Sequence, residues 1–145
     1  MAITTAMCTS FKVESWKALH DFTVTTGHLF KMALYAAAAV LDKTTTVYSA
    51  TNEVVGAGYT AGGKGLVNIS PVADGTGSSA LLDFPDVAWT VATISAAGAM
   101  IYNSNGGANR AVCVLDFGGV KVSTAGTFTV VFPAPALGTA ILQLT

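Results

Sequence analysis

The stretch GTFTVVFP, Gly126 to Pro133, sets Phe128, Val130 and Phe132 in alternation with Thr127, Thr129 and Val131. Successive side chains on a strand point to opposite faces, so this period of two predicts a half-buried antiparallel strand with the aromatic face inward. Gly126 marks its start. Pro133, which lacks a backbone N–H, marks its end.

Working outward from this strand, the same signals recur. Asn103-Ser-Asn-Gly-Gly-Ala-Asn109 joins two apolar runs with residues that tolerate positive φ, and so predicts a hairpin loop. Further strands are expected at 66–69, 80–84, 88–94, 99–102, 111–117 and 140–144, separated by Gly, Pro and Asn turns. Phe30, Met32 and Leu34 alternate with Leu29, Lys31, Ala33 and Tyr35, which predicts another strand with one core face. Ala36 to Leu41 reads as a loop or a single turn.

The period changes only at the beginning of the chain. Cys8, Phe11, Ser15, Leu19 and Phe22 recur at three- and four-residue spacing and predict a helix over about residues 5–21. Thr4 or Thr5 can cap it, and the β-branched run Thr23 to Thr26 before Gly27 stops it. Short strands at roughly 8–12-residue spacing, with no helices between them, indicate a sandwich or barrel and not a parallel βαβ sheet. The fold expected is therefore mainly β: one domain over residues 1–145, an antiparallel β-sandwich or jelly-roll-like body over about 28–145, and one N-terminal α-helix as an appendage.

Composition narrows the function. The 145 residues are 52% hydrophobic and only 10% charged, against about 25% charged residues in an ordinary soluble domain. Much of the surface must then be neutral or in contact with other protein. A net charge of −1 supplies no basic footprint, so no nucleic-acid partner is expected. The longest apolar run, Met32 to Leu41, is about half of the roughly 20 residues a spanning helix needs, and no membrane role is expected. The opening MAITTAMCTSF lacks the basic and apolar regions of an export signal. Cys8 and Cys113 fit neither a disulfide framework nor a zinc site and read as buried free thiols.

Motifs that resemble chemistry fall short on context. Gly58 to Gly65 matches most of a phosphate-binding GxxxxGK loop, but Gly65 stands where a Ser or Thr belongs, and the residues after it are β-like. Gly56 to Ala61 resembles GxGxxA without a βαβ unit around it. His20 and His28 flank the helix-to-strand connection with Asp21 between them, yet no nucleophile elbow accompanies them. Asp83, Asp86 and Asp116 read as turn caps, Asn68-Ile-Ser70 as an accidental sequon, and Trp16, Trp89, Tyr35, Tyr48, Tyr59 and Tyr102 as packing residues more than a sugar platform. No catalytic, cofactor-binding or metal-binding residue is assigned, and the chain is expected not to be an enzyme.

The segments MAITTAMCTSFKVESWKALHDF, HLFKMALY, TNEVVGAGYTAGG, GAMIYNS and NRAVCVLDFGG resemble small bacteriophage virion structural proteins, over most of the chain. The resemblance implies location in the virion after assembly in a host cytoplasm. It also implies other virion proteins as partners, foremost the major capsid protein, and a homo-oligomer. Within that group the charge-poor composition favours a capsid decoration or cement protein. A tail, head-tail connector or fibre component, or a glycan-binding module on the virion, are the alternatives.

Overall fold

The computed structural model describes residues 2–145. In chain order it contains β1 (Ala6–Met7), α1 (Thr9–Trp16), β2 (Phe30–Tyr35), β3 (Lys64–Gly65), β4 (Val72–Ala73), β5 (Ala80–Leu82), β6 (Val87–Asn103), β7 (Arg110–Val130) and β8 (Leu142–Leu144). The chain is mainly β, with two antiparallel sheets and one short helix near the N-terminus. The larger sheet has the order β1-β7-β6-β2-β3 and the smaller β4-β5-β8. Phe30, Met32, Leu34, Ile101 and Val112 from the larger sheet join Leu82 and Leu142 from the smaller in one buried cluster.

The deciding stretch behaves as its alternation requires. Phe128, Val130 and Phe132 are buried while Thr127, Thr129 and Val131 are exposed. The strand does not start at Gly126, however. The expected strand at 111–117 and the start of the one at 128–132 belong to β7, 21 residues long, which ends at Val130 and not at Pro133, and those at 88–94 and 99–102 are parts of β6, 17 residues long. Gly118 and Gly119 lie in a bulge: Gly98 pairs with Asp116 and Ala96 with Lys121, leaving 117–120 looped out of the ladder. Both glycines take positive φ, 69° and 127°, which L side chains rarely adopt. The Asn103–Asn109 segment is the hairpin turn between these two strands, with Asn103 paired to Arg110.

The helix is half the expected length. Ala6 and Met7 pair with Val114 and Cys113 instead, and the Cys8 N–H bonds Val112 O, so these residues are already extended when the helix begins. Cys8 occupies the N-cap position without a side-chain bond, in place of the expected Thr4 or Thr5. The helix ends where Ala18 turns to φ 55°, and the backbone N–H of Lys17 and Leu19 both bond Glu14 O. It is no appendage either. Phe11 is buried in the core and meets His20 edge-on at 4.8 Å, and the following Phe22 stacks on Phe30 at 4.1 Å.

Two other expectations are corrected. Residues 66–69 are not a strand, because Lys64–Gly65 takes the pairing with β2, and Leu66 then plugs the core. In β2 the alternation fails: Ala33 and Tyr35 are as buried as Phe30 and Met32, because the 44–63 segment covers the second face. Residues 140–144 contribute only β8, paired with β5. Ala36 to Leu41 makes one turn, closed by Ala39 N–H to Ala36 O.

Candidate functional site

Chemistry-bearing residues collect in two buried clusters and on one surface. The first cluster ties the N-terminal segment to the β6–β7 hairpin. His20, whose side chain is 1% exposed, places Nε2 2.8 Å from Glu14 Oε2, and Arg110 Nη1 lies 3.2 Å from Glu14 Oε1. On its other side, Asn103 Nδ2 sits 3.1 Å from His20 Nδ1 and 2.9 Å from His28 Nδ1. Asn103 Oδ1 accepts from Asn105 N, which fixes the orientation of the amide. The Asn103 NH₂ has two hydrogens for three acceptor positions, Leu19 O at 3.4 Å and the two Nδ1 atoms. Where His20 Nδ1 accepts from this amide, its Nε2 donates to Glu14. Burial lowers its pKa more strongly than the hydrogen bond and charge of Glu14 raise it. With both ring nitrogens engaged, His20 has no free position from which to act on a substrate.

The second cluster surrounds Glu53, 7% exposed. Tyr48 and Tyr59 donate to its two oxygens at 2.6 Å each, and Gly62 N donates at 2.7 Å. Tyr59 Oη accepts in turn from Leu34 N of β2, and Tyr102 donates to Gly62 O. Burial, with the hydrogen-bonded Glu53 carboxylate behind it, pushes the Tyr48 and Tyr59 phenols far up, so both remain donors. Burial raises Tyr102 to about 12. This cluster is what the glycine loop serves. A Cβ on Gly63 would lie 1.8 Å from Met32 O, so the loop lies directly on β2. Lys64, at its end, enters β3 and donates from Nζ to Ala88 O. The phosphate-loop-like segment thus feeds a strand, and its backbone is spent on packing.

The remaining singled-out residues disperse. Cys8 and Cys113 are buried free thiols; burial, with Asp42 and Glu14 nearby, raises Cys8 to about 11, and burial raises Cys113 further. Asp116 accepts from Gly118 N, as a turn cap does, but Asp86 accepts from Phe132 N, 46 positions away, and Asp83 Oδ1 is buried without a hydrogen-bond partner, so these two are not turn caps. Asn68 donates to His28 O and Thr23 O. Trp89 packs against Tyr59 and Phe128 inside the fold, whereas Trp16 is 93% exposed, so the aromatics do not share one flat face. Sequence reasoning had singled out the histidines but missed Glu14, Asn103 and Glu53, whose partners are brought together only by the fold.

The surface carries the more unusual chemistry. Val55, Val91, Val122 and Val131 are 98%, 75%, 66% and 70% exposed, in addition to Trp16. An open groove of about 660 Å³ runs along β7, walled by Phe117, Val122, Phe128, Val130, Phe132 and Ile141. A second slot, between α1 and the smaller sheet, has about 200 Å³, below the roughly 300–1,000 Å³ of small-molecule sites. The walls of both are mainly apolar. The chain matches no known protein-family model, no curated protein and no solved structure.

Proposed function

We propose that the protein is a non-enzymatic structural component of a bacteriophage virion, a decoration or cement protein that bridges neighbouring major-capsid subunits. The observation that carries the contact reading is the surface: Trp16 and the valines 55, 91, 122 and 131 stand exposed on a chain with only 10% charged residues. Tryptophan on a protein surface is a favoured interface anchor, because it buries a large rigid area on contact. The particle assignment rests on the resemblance of the quoted segments to small virion proteins, and the comparisons add nothing to it.

The mechanism is linkage. A protein that binds the assembled shell better than the dissociated subunits shifts the equilibrium by its differential binding energy. Weak contacts suffice when they are repeated over a shell. Cryo-microscopy of intact particles tests the location: density for this fold across capsid-subunit junctions is expected, and density confined to the tail would replace cement with a tail component.

A further inference from the structure

We propose that residues 17–28 form an acid-released strap, clasped to the body by Asn103 and let go when His20 takes up a proton, while both sheets stay folded. The inference goes beyond the contact reading and does not depend on it.

The strap leaves α1 at Lys17 and joins β2 through Leu29, with no helix or strand of its own. No residue in it is fully buried as a whole, although the His20 side chain is 1% exposed. Segments with few buried apolar contacts open at low free-energy cost. Past its far end, Leu29 O accepts from Ser104 N and from Ser104 Oγ at 2.9 Å each, which leaves a fixed hinge. Between the hinge and α1, the Asn103 amide lies against Leu19 O, His20 Nδ1 and His28 Nδ1 at 3.4, 3.1 and 2.9 Å. The other polar ties come from 68–70, which has no strand: Asn68 Nδ2 donates to Thr23 O and His28 O, and Ser70 Oγ accepts from Val24 N.

The clasp is incompatible with a charged His20. An imidazolium carries a hydrogen on both ring nitrogens. With Nε2 donating to Glu14, the added hydrogen stands on Nδ1, facing the Asn103 NH₂ donor against donor. Turning the amide over brings Oδ1 to His20 but also to Leu19 O, acceptor against acceptor, and takes from Asn105 N the oxygen it donates to at 3.0 Å. Burial opposes the charge, Glu14 of α1 favours it, and Arg110 of β7 and His28 of the strap oppose it. The remaining neighbours are the rings of Phe11, Phe22 and Phe30 and the uncharged lining supplied by the smaller sheet. The net effect holds the closed-state pKa below 6.5, so the open strap binds the proton better and opening rises as pH falls below 6.5, by at most about tenfold per pH unit for one proton.

Release changes the surface. His20 and Phe22 wall the slot of about 200 Å³ together with Phe11, Leu82 and Leu142. Their departure widens that slot and uncovers Phe30, which is fully buried under Phe22 in the closed strap.

Native-state hydrogen exchange on the full chain between pH 7 and pH 5, corrected for the intrinsic pH dependence of exchange, tests this. The amides of Leu19, Gly27 and His28, all hydrogen-bonded in the closed strap, should open at least about threefold more at pH 5, while Ile101 and Val112 in β6 and β7 stay protected. His20→Gln should remove that pH dependence. Asn103→Asp presents oxygen to a protonated His20 and keeps an acceptor for Asn105 N, so it should hold the strap closed in acid. Strap amides equally protected at both pH values, protection lost only together with β6 and β7, or an acid response that persists in His20→Gln would overturn the proposal.

Discussion

Asn103 is the residue that ties the N-terminal segment to the hairpin, because its amide lies against Leu19 O and against the Nδ1 atoms of His20 and His28. Around His20 stand Glu14 from α1, Arg110 from β7, Asn103 from β6 and His28 from the approach to β2. Burial holds the His20 pKa below its ordinary 6.5. Between that value and the lower folded one, the unfolded chain takes up a proton that the folded chain refuses. Stability is therefore full above about pH 6.5 and lost as pH falls through this window, with a slope of at most about 1.4 kcal/mol per pH unit for one proton. Asp21 and Asp42, held low by hydrogen bonds from Thr23 and Thr44, act only below their ordinary 3.8 and do not overlap it. Urea titrations from pH 7 to pH 5 should show the loss in the wild type and a flatter profile in His20→Gln; a flat wild-type profile would contradict this account. The thiols give a second test. Cys8 and Cys113 should resist alkylation when folded and take up two labels without reductant once unfolded; any labelling deficit on the unfolded chain would indicate a disulfide. The sequence pointed to the two histidines because they sit close together. Asn103, 83 positions from His20, carried no local signal.

Among the elements, legibility followed how many faces were covered. Residues 128–132 were readable because one side of that strand meets the core and the other meets solvent. In β2 the pattern blurred because the Glu53 cluster covers the second face, and nothing local announces that a carboxylate will be buried beneath two phenols. Strand ends were misplaced where glycine served as a bulge: a Gly-Gly pair reads as a turn unless the partner strand is known. The helix came out long because Cys8, Leu19 and Phe22 keep helical spacing while sitting in extended or turning backbone on either side of it. Glu53 ties the 44–63 segment to β2 as a unit. Replacing it by leucine leaves Tyr48, Tyr59 and Gly62 N without their acceptor, at a cost of about 3 kcal/mol. Chemical denaturation of Glu53→Leu should show that loss, with exchange protection falling first in residues 44–63; an unchanged midpoint would show that the cluster contributes little.

For the whole molecule, the charge deficit visible in the composition has become a surface: exposed tryptophan and valines and a groove along β7. Buried polar groups in the two clusters bond each other, while beyond the apolar core Trp16 and a set of valines remain exposed. If the proposed contact role holds, its effect is measured on the assembly and not on the isolated chain. The most direct measurement is the temperature at which particles rupture, compared between particles carrying the protein and particles lacking it, with purified chain added back to the latter. The account predicts a lower rupture temperature without the protein, restored by the wild type and restored poorly by Trp16→Ala. Equal rupture temperatures with and without the protein would contradict it.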